Sequence, residues 1–340
     1  MTIPEALHQV LAGRDLTGVE AAEMMTIIMS GEATPAQIGA LLTALRMKGE
    51  TAEEITGFAR VMREKAVRIT PDCPVLVDTV GTGGDKLKTF NISTAAAFVV
   101  AGAGVAVAKH GNRSVTSKSG SADVLEQLGV NLDVSPECVT RCIEEIGIGF
   151  LFAQRFHPAM KYAAPVRREI GIRTVFNVLG PLTNPAGARC QLIGVYAPEL
   201  TETLAHVLGL LGSERAFVVH GLVGLDEWST CGPTRVSELK DGAVTTTTYQ
   251  ATDFGLREAM PEELLGGTPV ESAALILRIF RGEETGAKRD IVLLNAAASL
   301  VVAGVATDIP DGLQKAAHSL DSGAALGKLT ALREMGYAGR

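Results

Sequence analysis

The chain has 340 residues and a formal net charge of −7; 46% of its residues are hydrophobic, but only 4% are aromatic. This length is enough for two domains and a large core, whereas the acidic balance argues against nucleic-acid binding, which needs a basic surface. The N terminus lacks the pattern of a signal peptide, and apolar runs such as 95–104 are too short to span a bilayer. We therefore expect a cytoplasmic protein that binds neither nucleic acid nor membranes.

The first 70 residues carry apolar positions at helical spacing and show no strand-like alternation. Pro35 suits the first position of one helix, and Thr51 with Glu54 forms a capping box before another. The apolar faces exceed what one small bundle would bury, so we expect a homodimer through this helical domain. The predicted helices of the domain, 1–70, cover 3–11 and 17–30 and begin at Thr34 and Thr51.

From Val75 onward, short apolar runs alternate with helical segments. This pattern predicts a mostly parallel sheet covered on both faces, and hence a larger α/β domain over 71–340. Asp241-Gly242 predicts an antiparallel hairpin between 234–240 and 243–249. Short helices within about 165–185 are expected to join the helical domain, leaving a cleft between the domains. The other predicted strands start at 75 and cover 105–108, 149–153, 191–196 and 216–219; the other helices cover 121–128, 136–146 and 199–211, with more from 269.

A glycine-rich stretch, Asp78–Thr94, follows the first strand. Glycines let a ligand approach the backbone closely, and a helix starting near Asn91 offers N–H groups and a positive dipole end to phosphate. The stretch is not a Walker A loop, and Lys86 stands where the dinucleotide fingerprint needs a third glycine. Two interpretations stay open here, a phosphate loop of another kind and a plain glycine turn before a buried helix.

Two further polar stretches follow predicted strands, where ligands of open α/β sheets bind. Lys109–Ser121 combines hydroxyls, an amide and cations that suit phosphate; the alternative is a solvent-exposed loop. Asp226 and Glu227 suit Mg²⁺, which takes few carboxylates together with water and phosphate oxygens; the alternative is a pair of solvated acids. In a third stretch, Arg167 offers the planar fork that matches a carboxylate, while the lone His157 is expected to be structural.

Four stretches together closely resemble the anthranilate phosphoribosyltransferase family: Val77–Thr94, Lys109–Glu126, His157–Pro185 and His220–Glu227. The resemblance covers nearly the whole chain, and its most specific part pairs Lys109–Arg113 with Gly180–Pro185. It implies a small helical domain plus a larger α/β domain like that of pyrimidine nucleoside phosphorylases, usually in a homodimer. It also implies transfer of the phosphoribosyl group from phosphoribosyl pyrophosphate to anthranilate, with Mg²⁺, in tryptophan biosynthesis.

The resemblance also implies roles for individual residues. Ser93, Asp226 and Glu227 would bind Mg²⁺, and Lys109 with the two acids would stabilise charge. Gly81, Asn112 and Arg167 would position anthranilate. Val223 and Trp228 flank Gly224-Leu225-Asp226-Glu227, which the family usually precedes with an acid or a glycine. The residues implied for phosphoribosyl pyrophosphate are Gly81, Gly84, Asp85, Thr89, Asn91, Ile92, Ser93, Thr94, Lys109, His110, Gly111, Asn112, Arg113, Ser114, Val115, Thr116, Ser117 and Ser121.

Two alternative functions stay open at this point. A pyrimidine nucleoside phosphorylase would share the architecture, but it would bind phosphate rather than a diphosphate and would not need the metal pair Asp226 and Glu227. A non-catalytic nucleotide- or nucleic-acid-binding relative should have lost Arg167 or the acids, or gained a basic exterior. The net charge of −7 and the intact stretches favour the transferase.

Overall fold

The computed structural model describes residues 1–84, 87–114 and 119–338, with side chains up to 336. The chain begins with four helices, each preceded by a threonine whose hydroxyl accepts the N–H three residues further on. These caps satisfy N–H groups that have no partner within a helix. Met24, Leu41 and Phe58 lie in the common core. The helices are α1 (Ile3–Leu11), α2 (Gly18–Ser30), α3 (Pro35–Lys48) and α4 (Ala52–Lys65).

The rest of the chain builds a seven-stranded sheet with helices on both faces. Its first half contains β1 (Leu76–Gly81), α5 (Ile92–Gly102), β2 (Ala106–Gly111), α6 (Ser121–Gln127), α7 (Pro136–Arg141), β3 (Ile148–Phe152), α8 (Ala153–Phe156), α9 (Ala164–Ile170) and α10 (Phe176–Leu182). The second half contains β4 (Cys190–Gly194), α11 (Leu200–Leu210), β5 (Arg215–Gly221), β6 (Thr234–Lys240), β7 (Ala243–Tyr249), α12 (Pro269–Phe280), α13 (Ala287–Val302), α14 (Ile309–Asp321) and α15 (Ala324–Ala338).

The strand order is β3-β2-β1-β4-β5-β6-β7, with the first five strands parallel and the last two antiparallel. A helical N-terminal part and a mostly parallel sheet confirm the predicted fold class. The hairpin of β6 and β7 has the predicted bounds. Within the described ranges, no helix is long and apolar enough to cross a membrane.

Two elements differ most from the sequence prediction. The strand predicted to end at residue 108 continues as β2 to Gly111, because Lys109 and His110 both find polar partners inside the protein. The helix predicted over 136–146 is α-helical only to Arg141, and a π-helical turn, Cys142–Ile146, completes it. The longer strand carries Lys109 into the interior, beside the start of α5.

The chain crosses between the helical part and the sheet more than once. Val67 N–H donates to the carbonyl oxygen of Phe156 at 2.8 Å, and Ile69 N–H donates to that of Pro185 at 3.2 Å. Side chains of α9 and α10 share a core with α1 to α4. On this basis we propose that residues 1–70 and about 165–185 form one helical unit beside an α/β unit within 71–340.

Candidate active site

The strand order reverses between β1 and β4, where open α/β sheets bind ligands at the carboxyl ends of their strands. These two strands end at Gly81 and Gly194, which lie opposite each other in the sheet. The connection between β5 and β6 passes over both glycines. A side chain at Gly194 would overlap the backbone carbonyl of Asp226, and a Cβ at Gly81 would lie 2.5 Å from Asp226 Oδ2. Both glycines are therefore needed for Asp226 to reach the switch point.

The two acids contact the glycine loop and the start of α5. Gly83 N–H donates to Asp226 Oδ2 at 2.7 Å, and Ser93 N–H donates to Glu227 Oε1 at 3.2 Å. Gly83 has a φ of +71°, which favours glycine. The folded sheet thus brings the acidic pair, which lies far along the chain, next to the glycine loop and Ser93.

Lys109 adds a buried cation beside this group. Its Nζ donates to the carbonyl oxygen of Thr79 at 2.6 Å and to Ser93 Oγ at 3.3 Å, and only 3% of the residue is exposed. Burial lowers the pKa of Lys109, while the charges of Asp78 and Glu227 oppose this effect. Because helix N termini and cations both favour anions, Ser93 and Lys109 make this end of α5 suitable for phosphate.

A buried network of hydrogen bonds around Asp78 connects β1 and β2 next to the site. Asn184 Nδ2 donates to Asp78 Oδ2 at 2.8 Å and to the carbonyl oxygen of Ala108 at 2.7 Å. His110 N–H donates to the other oxygen of Asp78 at 3.1 Å. Burial raises the pKa of Asp78 to about 6. The sequence did not identify either residue individually. The available signals were the position of Asp78 at the end of a predicted strand and that of Asn184 within Gly180–Pro185.

The His110 side chain lies on the opposite face of β2 from that of Lys109, as expected for successive strand residues. Its Nδ1 donates to the carbonyl oxygen of Gly180 at 3.1 Å, and its ring centroid lies 5.1 Å from that of His157. Within the described chain, neither Nε2 has a hydrogen-bond partner. Burial lowers the pKa of His110 to about 3 and that of His157 to about 4, so both rings are neutral at pH 7.

This pair predicts acid sensitivity of the fold. Both pKa values lie below the usual 6.5. The two neutral rings therefore make their full contribution to the free energy of unfolding above pH 6.5, and this contribution falls as the pH drops towards 4. Each histidine contributes up to about 1.4 kcal/mol per pH unit, whereas Asp78, with its raised pKa, acts in the opposite direction between about 6 and 4. Denaturant unfolding at pH 7 and pH 5 should show a smaller loss for His110→Gln with His157→Gln than for the native chain.

The exposed His206 supplies the control. His206→Gln should keep the native dependence of unfolding free energy on pH. An unchanged loss of stability in the double variant would show that the buried pair is not its source.

Two further residues of the stretch Lys109–Ser121, Arg113 and Ser114, contact α6. Arg113 forms ion pairs with Asp123 at 3.0 Å and Glu126 at 2.6 Å, which raise its pKa. Ser114 N–H donates to Asp123 Oδ2, and Ser121 Oγ donates to the carbonyl oxygen of Asn112 at 3.3 Å. The Arg113 side chain therefore pairs with α6 and not with the residues around Ser93. Asp85, Val115, Thr116 and Ser117 lie outside the described residues.

Residues of the glycine-rich stretch Asp78–Thr94 either contact the stretch Lys109–Ser121 or pack in the protein. Asn91, before α5, donates from Nδ2 to the carbonyl oxygen of Ser119 at 3.1 Å and accepts from the Ser119 hydroxyl at 3.0 Å, which joins the glycine-rich stretch to Lys109–Ser121. Thr89 forms an isolated bridge with Leu265. Ile92 and Thr94 are fully buried in the first turn of α5, so their side chains pack in the core instead of facing the cleft.

Arg167 lies on α9, which packs against α3. It is half-buried, with its guanidinium carbon 5.1 Å from the ring centroid of Phe176. A second arginine, Arg173, was not predicted: its Nη2 donates to the carbonyl oxygen of Gly84 at 3.0 Å, and its guanidinium carbon lies 4.3 Å from the Tyr196 ring centroid. Arg173 thus connects the segment after α9 to the glycine loop. The only sequence feature that could have indicated this role is its position within about 165–185, the segment predicted to join the two domains.

The oxygen groups near Ser93 fit Mg²⁺. A hydroxyl and two carboxylates are hard donors, and Mg²⁺ usually completes its shell with water and substrate phosphate oxygens. Among the described side chains, no group of three or more His, Cys, Asp or Glu residues forms an alternative metal cage. We therefore propose that Ser93, Asp226 and Glu227 would hold the ion.

Comparison with known proteins agrees with this arrangement. Residues 4–66 match the model "Glycosyl transferase family, helical bundle domain", and residues 73–326 match "Glycosyl transferase family, a/b domain". Anthranilate phosphoribosyltransferase from Moorella thermoacetica is 59% identical to the chain over 326 residues, covering 96% of each sequence.

Solved structures are similar over the same length. Anthranilate phosphoribosyltransferase from Thermus thermophilus is 45% identical with a TM-score of 0.93, covering 97% of this chain and 99% of that one. The Saccharomyces cerevisiae enzyme in complex with PRPP and Mg is 29% identical with a TM-score of 0.90, covering 99% and 98% respectively. With two family models, a close relative and two solved structures in agreement, the chain belongs to the anthranilate phosphoribosyltransferase family.

Proposed function

We propose that this enzyme transfers the phosphoribosyl group of phosphoribosyl pyrophosphate to the amine of anthranilate, giving N-(5-phosphoribosyl)anthranilate and pyrophosphate in tryptophan biosynthesis. The family supports this pentosyl transfer and its use of Mg²⁺. The observation that carries the proposal is the meeting of Asp226 and Glu227 with Gly83 and Ser93 at the switch point of the sheet. Acidic and anion-binding groups together suit a diphosphate accompanied by a cation.

Catalysis in this proposal consists of placement and electrostatic stabilisation. The first-turn N–H groups of α5 and the Lys109 ammonium bind the charged phosphate groups before the bond to pyrophosphate breaks. Bound Mg²⁺ supplies positive charge against the charge that develops on the leaving group. The reacting ribose carbon is expected to pass through an oxocarbenium-like transition state, as in other glycosyl transfers.

Anthranilate is proposed to approach from the helical side of the cleft, with Arg167 pairing with its carboxylate and Gly81 and Asn112 lining its path. The planar fork of arginine matches a carboxylate, and the half-buried position of Arg167 strengthens such a pair relative to an exposed one. An aromatic amine is neutral at pH 7, so once it is oriented its lone pair can form the bond to the ribose carbon as the bond to pyrophosphate breaks. The nitrogen then loses one proton to water. We assign no general base.

Loss of anthranilate fluorescence tests the function. We expect the purified chain to consume anthranilate only when phosphoribosyl pyrophosphate and Mg²⁺ are both present. Phosphate with a pyrimidine nucleoside is the control reaction, because the same fold serves nucleoside phosphorylases. Nucleoside cleavage without anthranilate consumption would overturn the proposal.

We further propose a cytoplasmic homodimer formed through the helical part. The five cysteines are free thiols, which suits a reducing compartment. Large apolar side chains stay exposed on α1, α2 and α3 in the single chain: Leu11 at 66%, Val19 at 70% and Met47 at 82%. Exposed apolar groups on adjacent elements favour a protein interface.

Sedimentation at micromolar concentration should therefore show a dimer. Met47→Asp with Val19→Asp should shift the equilibrium towards monomer, because each change buries a charge in the interface. The matched control is Leu210→Asp. Leu210 is 51% exposed and lies on α11, outside the helical part, so this variant should remain dimeric. A native protein that sediments only as monomer would exclude this dimer.

A further inference from the structure

The connection that carries the acidic pair is held at its base by a tight turn. Gly221 N–H donates to the carbonyl oxygen of Leu225 at 2.8 Å, and Leu225 N–H donates back to that of Gly221 at 3.0 Å. Asp226 and Glu227 come next, followed by Trp228. The turn fixes the chain before the acids, so their position also depends on what fixes the chain after them.

A single amide side chain satisfies the backbone on that second side. Trp228 N–H donates to Asn295 Oδ1 at 3.0 Å, and Asn295 Nδ2 donates to the carbonyl oxygen of Trp228 at 2.9 Å. The same Nδ2 donates to the carbonyl oxygen of Ile291, one turn earlier on α13, at 2.8 Å. Asn295 is fully buried, so its orientation is fixed by its own helix, and it pairs with Trp228 much as a neighbouring strand would.

The Trp228 ring is anchored as well. It is 1% exposed and lies against Phe217, Tyr249 and Phe254, with ring centroids 5.4, 5.6 and 5.9 Å away respectively. Aromatic contacts of this kind add specific geometry to apolar burial. The residue after the acidic pair is therefore held through both its backbone and its side chain, and Asn295 provides the polar half of this anchor.

We propose that Asn295 is a positioning residue for the metal pair: by binding both backbone groups of Trp228, it holds Asp226 and Glu227 where they meet the glycine loop and α5. The inference rests on the proposed function, since it concerns the Mg²⁺ that accompanies the phosphate substrate. Residues that orient metal ligands without touching the metal usually change affinity by about 10- to 100-fold when replaced. Asn295 stands 67 positions from Trp228, so no motif in the sequence points to it.

The test compares Asn295→Ala with Ser299→Ala in the full chain. Ser299 is buried one turn later on the same helix, and its hydroxyl donates to the backbone carbonyl of Asn295 rather than to the acidic connection. Mn²⁺ binding in the presence of phosphoribosyl pyrophosphate is followed by electron paramagnetic resonance. We expect the Mn²⁺ dissociation constant to rise about 10- to 100-fold in Asn295→Ala and to stay unchanged in Ser299→Ala.

Two further readouts separate positioning from general stability. Trp228 is the single tryptophan of the chain, so its emission reports this anchor directly; it should shift to longer wavelength in Asn295→Ala without any metal. In turnover assays, the Mg²⁺ concentration for half-maximal rate should rise while KM for anthranilate stays unchanged. Native protein that binds Mn²⁺ but transfers no phosphoribosyl group would overturn the proposed function and leave this inference standing.

A lower melting temperature with native Mn²⁺ affinity would overturn the inference, because Asn295 would then serve the fold alone. Should Asn295→Ala fail to fold, Asn295→Ser keeps a polar group at this position, one bond too short to bind both backbone groups of Trp228, and is measured in the same way. We expect weakened Mn²⁺ binding in that variant too, and native affinity there would equally contradict the assignment.

Discussion

The double change Asp226→Asn with Glu227→Gln is expected to abolish most turnover while leaving the fold intact. Both replacements keep the side-chain volume and an acceptor oxygen, so the hydrogen bonds from Gly83 and Ser93 can persist. What is lost is the negative charge that we propose binds Mg²⁺. Since electrostatic groups at the reacting centre are often worth about 100- to 1,000-fold in rate, we expect a fall of about that size across a Mg²⁺ titration.

The control is a second adjacent acidic pair. Glu144 and Glu145 are exposed on the π-helical turn after α7, and Glu144→Gln with Glu145→Gln removes the same charge from the chain. That variant should keep native activity, and both double variants should keep the native circular dichroism spectrum. Near-native turnover of the Asp226 and Glu227 variant throughout the titration would contradict the metal assignment.

Arg167→Ala is expected to raise KM for anthranilate by about 10- to 100-fold, because a hydrogen bond to a charged group is worth about 1.5–3 kcal/mol. Burial lowers the pKa of Arg167, and no nearby carboxylate of the described residues opposes this effect. The guanidinium carbon lies 5.1 Å from the Phe176 ring centroid, and we propose that the N–H groups pair with the anthranilate carboxylate. Steady-state kinetics with each substrate varied in turn measures the change.

The neighbouring Arg168 is exposed and provides the matched control. Arg168→Ala should leave both KM values close to native, and Arg167→Ala should leave KM for phosphoribosyl pyrophosphate close to native. A variant of Arg167 that weakens the phosphate substrate and spares anthranilate would mean that the two substrates are placed the wrong way round.

The parts of the fold with local signals could be predicted from sequence. The capping box at Thr51 marks the start of α4, and Asp241-Gly242 marks the turn between β6 and β7. The position of Asp226 and Glu227 after β5 was also readable, because the strand before them is continuously apolar. In each case the deciding residues lie within a few positions of the element that they define.

What could not be predicted depends on partners far apart in sequence. The length of β2 follows from the bonds of Lys109 to Thr79 and of His110 to Gly180, which stabilise polar residues inside the sheet. The contact of Arg173 with Gly84 spans 89 positions, and that of Asn184 with Asp78 spans 106. No periodicity or motif encodes such pairs, since tertiary packing alone brings them together.

The most direct test of the account is the position of a metal ion in crystals grown with Mn²⁺ and phosphoribosyl pyrophosphate. The anomalous signal of Mn²⁺ identifies the ion without reference to its ligands. We expect a peak bound by Asp226 or Glu227 and by phosphate oxygens of the substrate, beside Ser93 at the start of α5. A substrate complex whose metal lies elsewhere, for example at Asp123 and Glu126 on α6, would contradict the proposed site.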